Sequence, residues 1–125
     1  MRTLLFPHLL ILSICLAIPA LAQSNAFVGT WETHKASPKA RGAITVVIVQ
    51  NGELLVGTVD LADRNGGSER LKFNESSRSA GTLTFTTLLD EQPFRWSLTL
   101  SKGTRTAVLK GSYHEMLIDE KVKKR

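Results

Sequence analysis

Two histidines follow the apolar N-terminal stretch of this sequence, and each has a glutamate close to it in the chain. His34 lies two residues after Glu32, and His114 is followed directly by Glu115. Imidazole and carboxylate groups are common zinc ligands, so these four side chains are the candidates for a metal site. No third strong ligand accompanies the histidine pair, and solvent-facing positions at strand ends explain both histidines more simply. We therefore predict no metal site and no cofactor.

Serine and threonine are abundant, but their pattern does not indicate catalysis. The sequence has no Gly-x-Ser-x-Gly nucleophile elbow. Paired carboxylates occur as direct neighbours, at Asp90-Glu91 and Asp119-Glu120. Neighbouring residues on a strand point to opposite faces, so neither pair could act on one substrate from a strand. We predict a non-catalytic protein, and a hydrolase that uses one of the two histidines is the alternative.

Aromatic side chains are the other candidates for function. Five of them are predicted to line an apolar ligand site: Phe27, Trp31, Phe85, Trp96 and Tyr113. Arg95 and Arg105 are the candidate polar groups at the rim of that site. The same rings could instead interdigitate and fill the interior, each contributing about 2–3 kcal/mol of stability. The sequence leaves both interpretations open.

Strands must bring these side chains together, and the chain after residue 26 alternates with period two. In the clearest segment, Phe94, Trp96 and Leu98 face one way while polar residues face the other. This alternation is typical of a half-buried antiparallel strand. Eight strands are predicted in this way, at 27–34, 43–50, 53–61, 69–74, 82–88, 94–100, 105–114 and 115–121.

Short turns and interior glycines indicate how the strands are arranged. Asn51-Gly52 between two apolar runs predicts a tight hairpin. Gly29, Gly57 and Gly111 lie within strands, where glycine marks a bend or a close approach of the backbone. Closure of a tandem meander removes its exposed edges, and eight strands enclose an interior that side chains or one small ligand can fill. We predict an all-β fold, an eight-stranded antiparallel up-and-down meander closing into a small barrel.

The first 22 residues are predicted to be a signal peptide. A basic start, an apolar run over 4–16 and a small-x-small site at 20–22 give the three-part layout of such a leader. Residues 23–125 would then form a single barrel domain in the periplasm or outside the cell. Cys15 lies in the leader, so the processed chain would hold no disulfide. An uncleaved anchor is the alternative, and no stable membrane span is expected after cleavage.

The charge pattern bounds the choice of partners. The formal net charge is +5, from 16 basic and 11 acidic residues. Both signs are interspersed, which argues against nucleic-acid binding, until a basic run over 121–125. We predict that this run is a frayed, solvated tail. An electrostatic arm for an acidic surface is the alternative.

Several segments carry a resemblance to a known group of proteins. FVGTWETH, ITVVIVQNGELLVGTVDL and FRWSLTL resemble strands of the lipocalin-like and avidin-like small antiparallel barrels. The layout is especially similar to short exported bacterial proteins with this meander. The resemblance implies a barrel whose lumen can hold a ligand. In avidin-like proteins a Tyr and an Asn or Ser that bind biotin follow the Gly-Thr-Trp strand, but here Glu32, Thr33 and His34 follow it, so biotin is not implied.

Two functional hypotheses follow. In the first, the chain is an exported lipocalin-like barrel that holds a small apolar or amphipathic ligand in its lumen. In the second, it is a structural or protein-interaction module of the cell envelope with a packed core, and its partner surface lies on the outer strands or the basic tail. A large apolar void inside the barrel would favour the first hypothesis.

Overall fold

The computed structural model describes residues 26–33, 42–62, 67–103 and 105–125. The leader predicted at 1–22, with Cys15, lies outside the described residues. The described ranges contain nine strands: β1 (Gly29–Thr33), β2 (Ile44–Asn51), β3 (Leu54–Ala62), β4 (Ser68–Phe73), β5 (Ser76–Ser79), β6 (Thr82–Leu89), β7 (Gln92–Leu100), β8 (Thr106–Tyr113) and β9 (Met116–Lys124). The predicted all-β meander is confirmed, with nine strands in place of eight.

One curled sheet contains all of these strands, in the order β4-β3-β2-β1-β9-β8-β7-β6-β5. Each neighbouring pair is antiparallel. β1, β3, β6 and β8 therefore run toward one end of the barrel, which we call the upper end. The other strands run toward the lower end, where β1 begins and β9 finishes. Pairing of the first strand with the last joins the two halves of the sheet, whose edges are β4 and β5.

The additional strand is β5, which lies at the seam between the two edges of the sheet. Direction alternates along the strand order, so β4 and β5 run the same way, and only two residues separate them. They form one bent path whose first part pairs with β3 and whose second part pairs with β6. Across the seam, the rings of Phe73 and Phe85 stack with centroids 4.1 Å apart, and the Ser76 hydroxyl donates to the Leu55 carbonyl oxygen at 2.7 Å. The barrel is therefore nearly closed.

The two-residue turns follow the rules of antiparallel hairpins. Asn51 pairs with Leu54, and Gly52 between them has a φ of +64°, so the predicted hairpin is confirmed. Asp90 and Glu91 connect β6 to β7 with φ values of +52° and +65°. Such turns match the twist of the strands, but residues with a Cβ pay a conformational penalty in the left-handed region.

This penalty predicts a stabilising substitution. Glu91→Gly would leave Asp-Gly, a favoured pair for such a turn, and is expected to stabilise the barrel by about 1 kcal/mol. In thermal unfolding followed by circular dichroism, Tm should rise by roughly 5 °C. Glu53→Gly is the matched control, because Glu53 also occupies a two-residue turn but does not have a positive φ. An equal rise in both variants would show that the gain does not come from the conformation of Glu91.

The prediction of a frayed basic tail is wrong. β9 continues to Lys124, and Val122 faces the interior with only 3% of its surface exposed. The backbone N–H of Arg125 donates to the Thr30 carbonyl oxygen at 2.9 Å, and its guanidinium binds the Glu32 carboxylate at 2.5 and 2.9 Å. The tail is ordered because β1 would otherwise be an exposed sheet edge.

Candidate functional site

The interior of the barrel is filled. Seventeen apolar residues of the described ranges have between 0% and 5% of their surface exposed. A lumen wide enough for a ligand would leave accessible surface on the side chains that form its wall. The near-complete burial of the core therefore indicates interdigitated side chains, as is usual in protein interiors.

Aromatic rings account for much of this filling. Starting from the stacked pair at the seam, Phe85 lies 6.4 Å from Trp96, centroid to centroid. Trp96 stacks on Phe94 at 4.1 Å, and Phe94 lies 5.1 Å from Tyr113. A continuous chain of rings thus runs from the seam to the upper end of β8, at distances typical of favourable aromatic pairs.

Polar groups inside the barrel are satisfied by the protein itself. The indole N–H of Trp96 donates to the Thr87 hydroxyl at 3.0 Å, and that of Trp31 donates to the Phe27 carbonyl oxygen at 2.9 Å. The Thr33 hydroxyl accepts from the backbone N–H of Ile44 at 3.0 Å. Among the described residues, no buried side-chain nitrogen or oxygen lacks a partner. No ligand is needed to complete their hydrogen bonding.

The five predicted wall residues occupy different parts of this core. Phe27 lies in the helical residues 26–27 before β1 and packs at the lower end, next to Trp31. Phe85 and Trp96 belong to the chain of rings in the middle of the barrel. Tyr113 is half-buried at the upper end, where its hydroxyl donates to the Leu89 carbonyl oxygen at 3.0 Å.

The two predicted rim arginines lie on separate surfaces. Arg95 is exposed on the outer face of β7, since its neighbours on the strand face inward. It lines an open depression of about 490 Å³, together with Glu75, Thr84 and Thr86. Arg105 is exposed in the loop before β8, toward the lower end, where its carbonyl oxygen accepts from the backbone N–H of Lys124. The structure does not bring the two guanidinium groups to one rim.

The candidate metal and catalytic residues are only partly within the described ranges. His34 lies outside them. His114 occupies the turn between β8 and β9. Its exposed ring forms a T-shaped pair with the ring of Tyr113, with centroids 4.5 Å apart. No group of three His, Cys, Asp or Glu side chains in the described part of the chain is placed to hold a metal ion.

The upper end carries a ring of incompletely buried apolar side chains. They face inward from four strands and are each half-buried, and we call them the upper mouth: Leu61, Leu89, Tyr113 and Ile118. Their exposure contrasts with the complete burial of the core beneath them.

A groove lies on the outside of the barrel, and the sequence analysis missed it. It has a volume of about 760 Å³ and crosses the outer faces of β8, β9 and the end of β1. We call it the C-terminal groove. Its described lining includes Glu32, Ser101, Thr106, Val108, Lys121, Lys123 and Arg125. The alternation of Lys121, Val122 and Lys123 was the signal for it, because one inward apolar residue sends both lysines outward.

A lysine joins this groove to the lower end of the barrel. The ammonium of Lys124 donates to the Ala26 carbonyl oxygen at 2.8 Å and lies 5.0 Å from the centroid of the Trp31 ring. Burial, and then the charge of Arg105, lower the pKa of Lys124 below that of a free lysine. The C-terminal strand thus holds the first described residues against the core.

The fold and its packing define a nearly closed antiparallel up-and-down β-barrel. Its structure is similar to the crystal structure of a mutant of the fluorescent protein UnaG, with a TM-score of 0.49 and 12% sequence identity, covering 81% of this chain and 97% of that chain. Neither a protein-family model nor a curated protein matches the sequence. Within the described ranges, no helix has the length and apolar character needed to cross a membrane.

Proposed function

We propose that this chain is an exported, non-catalytic barrel that acts through its outer surface, as an interaction module of the cell envelope. The observation that carries the proposal is the filled interior, in which all seventeen core residues are at most 5% exposed. A barrel whose interior is occupied by its own side chains can offer a partner only its outside and its ends.

Two further features support this function. The buried indole and hydroxyl groups already have protein partners, whereas a ligand site usually presents a few convergent polar groups to its ligand. The first 22 residues have the layout of an export signal, which would place the barrel in the periplasm or outside the cell. A compact core also suits a processed chain that would have no cysteine for a disulfide.

A neutral apolar dye tests whether the interior is full. Nile red is expected to leave the tryptophan emission and the Tm of the native protein unchanged. Leu98→Ala removes a fully buried side chain and should lower the free energy of unfolding by about 3 kcal/mol. The cavity that it creates should admit small apolar solutes such as xenon. Binding of xenon by the variant, without binding by the native protein, is the expected result.

A second candidate function is favoured by the upper mouth. Its half-buried apolar side chains could hold a small apolar or amphipathic ligand at the end of the barrel. Quenching of tryptophan emission by Nile red in the native protein, with a rise in Tm, would favour this lipocalin-like function over the packed module. Trp96 is the reporter, because its stacking partner Phe94 contacts Tyr113 of the mouth.

A further inference from the structure

Cations are concentrated along the C-terminal groove. Lys121 and Lys123 are exposed on the outer face of β9, and Arg125 follows them at the same spacing of two residues. On a strand, that spacing corresponds to roughly 7 Å between successive side chains. Glu32 binds the Arg125 guanidinium. Among the described residues that line the groove, Glu32 has the only side-chain carboxylate. The groove therefore presents net positive charge.

The floor of the same groove is apolar. Val108 lies directly opposite Lys121 on the neighbouring strand, and its side chain faces outward and is half-buried. Thr106 lies opposite Lys123 in the same way and contributes a methyl group. Lysine stems also cover apolar surface while their ammonium groups reach solvent. The volume of about 760 Å³ lies in the range of small-molecule sites.

We infer that the C-terminal groove binds a small anionic amphiphile, a molecule with a negatively charged head group and a short apolar tail. The head group pairs with the ammonium groups of Lys121 and Lys123, and the tail lies on Val108. A concave surface fits a single molecule better than it fits the plane of a bilayer. This inference rests on the proposed function, because it places the ligand on the outside of a packed barrel.

Three probes separate the contributions of head and tail in isothermal titration at low salt and pH 8. Decanoate supplies both, acetate supplies the head alone, and decyl maltoside below its micellar concentration supplies a tail on a neutral head. Decanoate is expected to bind at least about tenfold more tightly than either of the others. Equal affinity for decanoate and decyl maltoside would overturn the role of charge, and equal affinity for decanoate and acetate would overturn the role of the apolar floor.

Matched variants locate the site. The double variant Lys121→Gln/Lys123→Gln should weaken decanoate binding at least about tenfold. The control is Lys72→Gln/Arg78→Gln, which removes the same charge from exposed positions on β4 and β5, on the far side of the barrel, and should change nothing. Val108→Trp fills the groove without altering charge and should also abolish binding. Thermal unfolding checks that each variant is folded.

The outcomes distinguish this site from the interior. If both double variants weaken decanoate binding equally, the effect comes from net charge, and the groove is not the binding site. If decanoate binds Val108→Trp normally, and quenches the tryptophan emission of the native protein, the ligand lies inside the barrel. Both the groove and the packed module would then be wrong. If the protein does not bind decanoate and its interior still excludes Nile red, the proposed groove site is wrong and the packed module is not affected. Binding to anionic phosphatidylglycerol vesicles without binding of monomeric decanoate would replace the amphiphile with a membrane surface.

Discussion

Removal of residues 121–125 is expected to abolish the cooperative unfolding transition of the barrel. The deletion takes away every paired position between β9 and β1, namely Trp31 with Lys124, Glu32 with Lys123 and Thr33 with Val122. Loss of the buried Val122 side chain alone costs about 1.5–3 kcal/mol. The exposed edge of β1 and the uncovered Trp31 add to this cost. A small domain has a total stability of only about 5–15 kcal/mol.

The measurement is urea unfolding followed by far-ultraviolet circular dichroism, with the chain ending at Glu120. The matched control is the double variant Lys121→Gln/Lys123→Gln, which keeps the strand and removes its outward charges. The control should retain a sharp transition, since both side chains are exposed. A truncated chain as stable as the native one would mean that the tail is solvated, and that the barrel forms without the pairing of β9 with β1.

The last strand shows why the sequence predicted the closed meander but not the full length of its final strand. Segments such as 94–100 have three or four apolar residues at alternate positions, and these strands are confirmed. In β9 the inward positions include Glu120 and Lys124 beside Ile118 and Val122, so local composition indicates a solvated tail. The strand continues to Lys124 because β1 offers backbone hydrogen bonds to its last residues, and a partner so distant in sequence is not visible in a local pattern.

The short strand β5 was missed for the same reason. Its sequence, Ser-Ser-Arg-Ser, has no apolar residue, and it falls between the predicted strands at 69–74 and 82–88. Pairing with β6 and the bend after β4 place it in the sheet. The number of strands therefore depended on a tertiary contact. The predicted meander did not, because β4 and β5 form one bent path around the barrel.

The candidate site was less predictable than the fold. Alternation shows which side chains face inward, such as Phe85 and Trp96, but not whether their rings meet or leave a space between them. That depends on register and twist, which place the Trp96 ring 4.1 Å from Phe94 and bring Phe73 onto Phe85 across the seam. The outer groove was invisible for a related reason, because Val108 and Lys121 become neighbours only through the pairing of β8 with β9.

Gly57→Ala is expected to destabilise the barrel by about 4 kcal/mol or more, among the largest effects of any single substitution. A Cβ on Gly57 would lie 1.8 Å from the backbone oxygen of Val47 and 2.9 Å from its carbonyl carbon. It would also lie 3.1 Å from the tip of the Phe73 ring. A side chain could rotate away from such an overlap, but β2 is held by pairing to both β1 and β3.

Two other glycines provide graded controls. At Gly111 a Cβ would meet the rings of Trp96 and Phe94 at 2.8 to 2.9 Å, and rings can shift, so Gly111→Ala should cost about 1–3 kcal/mol. At Gly52 a Cβ would meet nothing within 4 Å, and Gly52→Ala should cost about 1 kcal/mol for its positive φ alone.

Urea midpoints of the three variants should fall in the order Gly52, Gly111 and Gly57, with the last the least stable. A Gly57 variant as stable as the Gly52 variant would show that β2 and β3 lie farther apart than their pairing places them. The interior would then have room that the packed barrel does not allow, because the added Cβ lies 3.1 Å from the tip of the Phe73 ring, which stacks on Phe85 across the seam. A tolerated Gly57→Ala substitution would therefore contradict both the close approach of β2 to β3 and the filled interior.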